Sequence, residues 1–326
     1  ESGQFVWASE RTGFNHLYLY ANDGTLIRQL TDGDWVVDGL SGVSNPDQNG
    51  SNVETDRTIG YVYFTGTKNG ATERHLYSVP LAGGDVHRIT SQPGTHFVTI
   101  DHKFKSFVDV HSAIEVPPTI SVCSLKDGSM LHSLYEPSDP RIENLGLKPP
   151  DLVTLESRDG VDLHGAIYRP APEFGDGPFP TIIHVYGGPG VQMVDNHWRM
   201  TASMRVQYLR SLGYLVFALD NRGGTRRGLE FEKAIKHNMG NVEVQDQIDG
   251  VSWLIEQGLT DSTRVGVYGW SYGGFMTLMS LAQAPDVFKM GVVGAPVVHW
   301  DGYDSHYTER YMGTPQSNPE GYKKSS

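Results

Sequence analysis

Cysteine is nearly absent: Cys123 stands alone among 326 residues. That excludes an internal disulfide framework and the common cysteine-rich zinc sites, and it suits a soluble protein of the cytoplasm, or of a bacterial periplasm without bridges. Clustered Lys and Arg are lacking too. The net charge is -12, Arg226-Arg227 is only a pair, and Lys323-Lys324 sits at the end, so no nucleic acid is expected as a partner. No apolar run approaches a membrane span, and the first residues do not read as a signal peptide. Asn49-Gly50-Ser51 matches a glycosylation sequon, a triplet that chance produces often in Gly- and Ser-rich loops. What is present is an ordinary globular balance, 38% hydrophobic and 20% charged, in a length that suggests two domains.

The two halves follow different periods. From Gly3 to about Arg141 the chain reads as short strands rich in β-branched and aromatic residues: Phe5 to Ala8, His16 to Tyr20, Tyr61 to Thr65, and His75 to Val79. Asn22-Asp23-Gly24, Asn69-Gly70, Gly83-Gly84 and Asp127-Gly128 punctuate them as turns. There is also an internal repeat. His16-Leu17-Tyr18, Asp23-Gly24 and Arg28-Gln29-Leu30-Thr31 return as His75-Leu76-Tyr77, Gly83-Gly84 and Arg88-Ile89-Thr90, with a fainter third copy from Phe107 through Cys123 to Asp127-Gly128. Antiparallel repeats of this length suggest β-propeller blades; a plain meander or sandwich is the alternative.

The pattern changes at Leu147-Lys148-Pro149-Pro150-Asp151, which sets expected domains of 1–147 and 148–326. Thr181 to Tyr186, Tyr214 to Leu219 and Val265 to Gly269 are near-continuous apolar runs, as buried parallel strands require. Helical stretches at Met200 to Leu212 and Val242 to Gln257, with Asn241 as a cap, lie between them. The alternation predicts a mostly parallel α/β sheet with helices on both faces.

Gly269-Trp270-Ser271-Tyr272-Gly273-Gly274 falls between such a strand and an apolar helix. In that context Gly-x-Ser-x-Gly is a nucleophile turn, which exposes the Ser271 oxygen above the sheet, and the fold it marks is the α/β-hydrolase. His184-Val185-Tyr186-Gly187-Gly188-Pro189-Gly190 ends an earlier strand, where this fold builds part of its oxyanion hole. His184 precedes the serine, the wrong order for the base, and is expected to pack within its strand.

Together Gly-Trp-Ser-Tyr-Gly-Gly, Val-Tyr-Gly-Gly-Pro, Asp220-Asn221-Arg222-Gly223-Gly224, Asp246-Gln247 and the stretch from Trp300 to Gly313 resemble the dipeptidyl peptidase IV branch of the prolyl oligopeptidase family. Ser9-Glu10-Arg11-Thr12-Gly13 and Gly33-Asp34-Trp35 resemble the family's blade pattern. The resemblance implies the last blades of a β-propeller followed by an α/β-hydrolase domain. It also implies a serine exopeptidase that releases N-terminal Xaa-Pro dipeptides through an acyl-enzyme, so the expected partners are peptides with proline near the N-terminus. Ser271 would be the nucleophile, with the Tyr186 hydroxyl and the Tyr272 N–H as oxyanion donors. Tyr303, Tyr307, Trp300, Val297 and the Tyr272 ring would line the proline pocket, since flat aromatic walls bury a compact ring without offering polar partners. No metal or cofactor is implied.

The family places its catalytic Asp and His well beyond Gly313, so both are expected past Ser326, and residues 1–326 alone are expected to be inactive. Asp286, Asp301, Asp304, His299 and His306 follow Ser271, but four of them lie in or beside the pocket segment and Asp286 in a helix exit. The glutamate pair that holds the substrate's ammonium belongs to an earlier blade; Asp34 and Asp38, around Trp35, do not match it. Other readings are a prolyl tripeptidyl or acylaminoacyl peptidase of the same family, or a non-catalytic binding protein. Family members often form homodimers, through segments largely outside this sequence.

Overall fold

The computed structural model describes residues 3–44 and 60–326, and the Asn49-Gly50-Ser51 triplet lies outside the described residues. The chain forms two compact units. One holds Glu1–Gly146 with Asp195–Met200 and Arg226–Leu229; the other holds Leu147–Val194, Thr201–Thr225 and Glu230–Ser326.

The first unit is antiparallel. Three successive strands, β1 (Gln4–Ser9), β2 (His16–Ala21) and β3 (Leu26–Gln29), form one sheet. β4 (Val37–Val43), β5 (Tyr61–Gly66), β6 (His75–Pro80) and β7 (His87–Arg88) form the second. β8 (Thr95–Ile100), β9 (Ser106–Ala113), β10 (Val116–Ser124) and β11 (Met130–Tyr135) form the third. Side chains alternate across a strand, and here both sides of the second sheet are covered. On β6, Leu76 packs with Ile89, Phe107 and Cys123, while Tyr77 and Val79 pack with Leu17, Trp35 and Phe64. That double burial is why β5 and β6 lack polar alternation.

The sequence repeat corresponds to a repeated hydrogen-bond clasp. Thr31 Oγ1 accepts the Leu17 N–H at 2.9 Å and lies 3.0 Å from His16 Nδ1. Thr90 Oγ1 accepts the Leu76 N–H at 3.0 Å and lies 3.0 Å from His75 Nδ1. The far nitrogens face acceptors, the Gly33 carbonyl at 2.8 Å and Glu73 Oε2 at 3.0 Å. Each Nε2 therefore donates to its acceptor, while each Nδ1 meets the threonine hydroxyl. In the third sheet Cys123 pairs with Phe107 across β9 and β10, and the Asp127-Gly128 turn leads into β11.

The second unit centres on six strands: β12 (Asp151–Glu156), β13 (Asp162–Tyr168), β14 (Phe179–His184), β15 (Leu215–Asp220), β16 (Thr260–Trp270) and β17 (Met290–Gly294). Their spatial order is β12-β13-β15-β14-β16-β17, with the last three pairings parallel and the first two antiparallel. β15 is buried along its whole length, as its uninterrupted apolar run demands.

Two local expectations need correction. The stretch from Met200 to Leu212 is two helices, Trp198–Thr201 and Met204–Ser211. The Gln207 amide fills the break by donating to the Thr201 carbonyl at 2.8 Å, a group left without an intrahelical partner. Asn241 stands at the cap position of the Val242–Glu256 helix, but its side chain donates to Asn238 Oδ1 at 2.8 Å and caps nothing. Glu243 takes the job instead, accepting the N–H groups of Gly240 at 2.8 Å and Asn241 at 3.0 Å.

Candidate active site

β16 runs straight into the Tyr272–Gln283 helix, and Ser271 is the single residue at the joint. Its backbone sits at φ 58 and ψ -119. A positive φ is costly for a residue with a side chain and persists only where the surroundings enforce it. They do so here by close packing. A Cβ on Gly269 would fall on the backbone of Gly273 and Val185, and one on Gly273 would fall on the Val185 carbonyl. The strand before the turn, the helix after it and the end of β14 thus cross without side chains between them. The Ser271 N–H donates to the Gly294 carbonyl at 3.0 Å, which ties the turn to β17 as well. The hydroxyl stands at the N-terminus of a twelve-residue helix, where developing negative charge is favoured.

Tyr186 follows β14 and brings its ring to 6.1 Å from that of Tyr272. Burial, with Tyr303 and Tyr311 nearby, raises the Tyr186 pKa, so its hydroxyl keeps its proton and can donate. The Tyr186-Gly187-Gly188 loop is held from beneath by a polar chain. Asn221 Nδ2 donates to the Gly187 carbonyl at 2.9 Å, and Gln247 Nε2 donates to Asn221 Oδ1 at 2.9 Å. Asp220 accepts the N–H groups of Met193 at 2.7 Å and Val194 at 3.1 Å. Arg222 grips Asp246, which is fully buried, at 2.6 Å. Asn221, backed by Gln247, is therefore scaffolding for the loop that carries Tyr186, whereas Asp220 braces the Met193-Val194 backbone and Arg222 and Asp246 brace each other.

The aromatic residues singled out by the sequence converge. Trp300 is 1% exposed, with Tyr272 at 5.6 Å, Tyr303 at 6.0 Å and Tyr307 at 6.1 Å between ring centroids. Tyr303 and Tyr307 meet edge to face at 5.5 Å. Trp300 is the buried member of the group and Tyr303, 45% exposed, its solvent edge. Val297 packs against the same core. Asp304 caps the Ser305–Met312 helix by accepting the Tyr307 N–H at 2.9 Å, which sets the direction of the tyrosine.

The other candidates lie elsewhere or do something else. His184 stacks on Tyr268 at 4.5 Å and 5°, and burial lowers its pKa to about 4, so it is a packed, neutral ring. His299 and Asp301 pair at 2.5 Å, yet both are well exposed. Asp38 contacts Arg226 at 2.5 Å and Arg74 at 3.7 Å within the first unit. Among the described residues no group of three or more His, Cys, Asp or Glu is arranged to hold a metal ion, and no helix is long and apolar enough to cross a membrane.

Two members of this site escape sequence reasoning. Tyr311 extends the aromatic group, 5.0 Å from Tyr307 and one helical turn on; its spacing of four was the available signal. Glu243 is fully buried and accepts a hydrogen bond from the Tyr272 hydroxyl at 2.7 Å. Its signal was a charge on the buried stripe of a helix, in line with Gln247, Gly250 and Leu254.

Known proteins resemble the chain along its whole length. Residues 200–326 match the prolyl oligopeptidase family, and residues 1–118 match the dipeptidyl peptidase IV N-terminal region. Dipeptidyl peptidase 8 of Mus musculus is 36% identical over 98% of this chain and 38% of its own length. Its Homo sapiens counterpart is 35% identical over 99% of this chain and 38% of its own length. The crystal structure of Porphyromonas gingivalis dipeptidyl peptidase 4 superposes with a TM-score of 0.87 at 31% identity, covering 100% of this chain and 44% of that one. The chain thus spans well under half the length of these relatives. By the matches to both its halves, the chain belongs to the dipeptidyl peptidase IV branch of the prolyl oligopeptidase family.

Proposed function

We propose that the protein carrying this chain is a serine exopeptidase that releases Xaa-Pro dipeptides from peptide N-termini. In this reading residues 1–147 are the closing blades of a propeller and 148–326 belong to an α/β-hydrolase domain. Ser271 attacks the carbonyl after proline and forms the acyl-enzyme. The oxyanion of the tetrahedral intermediate takes hydrogen bonds from the Tyr272 N–H and the Tyr186 hydroxyl, and a histidine oriented by an aspartate moves the protons. His299 is too exposed for that role, because a base needs a partner shielded from water.

The observation that supports the reading most is the join of two features at one residue. Tyr272 follows the strained serine and its ring belongs to the group formed by Trp300, Tyr303 and Tyr307. An acyl group bound at Ser271 would therefore have an aromatic slot beside it, suited to a flat, apolar five-membered ring. The dipeptidyl peptidase names of the relatives favour release of two residues over one or three.

The test uses the full-length protein with Gly-Pro-nitroanilide and with a longer peptide carrying proline second. Wild type should release the dipeptide, identified by mass. Ser271→Ala should lose activity by roughly 10⁵-fold or more while staying folded. Release of single residues or tripeptides, or full activity in Ser271→Ala, would overturn the proposal.

A further inference from the structure

Burying an ionisable carboxylate in an apolar core is costly unless its oxygens are fully used. Glu243 is buried to 0% exposure against Tyr272, a member of the second unit's hydrophobic core, and both its oxygens are occupied. Oε1 accepts from the Gly240 N–H and the Tyr272 hydroxyl, and Oε2 accepts from the Asn241 N–H. The two backbone donors lie at the start of the Val242–Glu256 helix, whose dipole favours the negative charge, while burial works against it and raises the carboxyl pKa to about 7. The phenol is the first residue of the Tyr272–Gln283 helix. One carboxylate therefore fastens the start of one helix to the start of the other, at the turn that carries Ser271.

The ring it holds is a junction. Phe275 packs on Tyr272 edge to face at 5.2 Å, Trp300 lies at 5.6 Å and Tyr186 at 6.1 Å. The glycine loop leans on the same ring: a Cβ on Gly188 would strike Tyr272 and crowd Tyr186. Tyr272 is fixed at its backbone end by the helix and at its far end by Glu243 alone among the described side chains that hydrogen-bond its hydroxyl. A tilt of the ring would shift the Tyr186 loop on one side and Trp300 on the other. We infer that Glu243 is a positioning residue for acyl transfer, which locks the Tyr272 ring and through it sets the oxyanion donors and the inner wall of the aromatic slot. This rests on the function proposed above, since it assigns the donors that Glu243 aligns.

The experiment is a double-mutant cycle in the full-length protein, with Tyr272→Phe, Glu243→Gln and the pair. Tyr272→Phe keeps the ring and the N–H and removes only the tether. It should lower kcat about tenfold, the scale of one hydrogen bond to a charged group, with KM within about threefold. Glu243→Gln should lower kcat by a similar or smaller factor, and the double variant should lose no more than the worse single. Glu243→Ala should do worse than Gln; should it fail to fold, the cycle with Gln and Phe still decides. Additive losses, or wild-type kcat in Tyr272→Phe, would overturn the inference. Failure of the functional reading shows separately, as a wild-type protein that releases no dipeptide. In that case coupling is read from the rate at which a fluorophosphonate labels Ser271, which needs the nucleophile and its oxyanion donors but no proline pocket. Loss of that coupling would likewise overturn the role given to Glu243.

Discussion

The two units solve the problem of buried polar groups in opposite ways. The first unit uses one solution twice: a threonine hydroxyl clasps a histidine ring and a leucine N–H in the first sheet and again in the second. The second unit joins unlike residues from distant elements. Asn221 holds the Gly187 carbonyl, Gln247 holds Asn221, and Glu243 holds Tyr272. A repeated bond stabilises architecture and says nothing about chemistry. A polar contact deep in a core and next to a strained serine is where the proposed function would need precise placement.

That contrast predicts a large catalytic loss in the second unit for the smallest change. Tyr186→Phe in the full-length protein should cut kcat by roughly 10²–10³, or about 2.7–4 kcal/mol, because an oxyanion donor acts only once the carbonyl becomes tetrahedral. KM should hardly move. A raised KM with unchanged kcat would make Tyr186 a substrate contact.

His184 tests whether a polar residue of the second unit can matter for stability alone. Burial lowers its pKa from 6.5 to about 4. Between those values the unfolded chain binds a proton that the folded chain does not. The stability it confers is therefore complete above 6.5 and falls as pH drops toward 4, by on the order of 3 kcal/mol. His184→Phe keeps a ring over Tyr268 and should flatten the melting temperature over that window. An unchanged pH profile would show that other groups carry it.

Tyr303→Ala probes the solvent edge, where exposure softens the effect. The Gly-Pro substrate should lose roughly 10–100-fold in kcat/KM, less than for a fully buried aromatic. A Gly-Leu substrate should lose less, because the cavity gives the larger side chain room. Equal losses would mean that Tyr303 supports the fold and does not read proline.

The first unit should give the smallest and most even response. Thr31→Ala and Thr90→Ala each strand a buried leucine N–H and a histidine nitrogen, at about 1–2 kcal/mol apiece by denaturant unfolding. Neither should change kcat. A much larger loss at Thr90 would trace to Glu73, which meets His75 where the Gly33 carbonyl meets His16.

The same contrast explains what could be read without coordinates. The clasp partners lie 14 and 15 residues apart, so the repeat shows both halves of each bond in one short stretch. The Ser271 turn is local as well, because strand, glycines, serine and helix are contiguous. Trp300, Tyr303 and Tyr307 are legible as a motif since one contiguous stretch, a short turn followed by a helix, carries them. Glu243 and Tyr272 are 29 residues apart, and Asn221 and Gly187 are 34 apart, on elements whose adjacency is created only when the parallel sheet is assembled. No period or propensity encodes that pairing. The helix break before Met204 and the idle Asn241 side chain failed for the same reason: distant or competing hydrogen bonds outweighed local preference.

The crossing of backbones at Gly269 and Gly273 limits where this molecule can vary. At those two positions the set of tolerated amino acids shrinks to one, because any side chain would occupy the same space as a neighbouring main chain. Tyr303, at the solvent edge of the aromatic group, has no such restriction. Under the proposed function, a laboratory selection for new substrates should therefore leave the turn untouched and collect its changes at that edge, so that preference drifts while the geometry of the Ser271 turn is inherited intact.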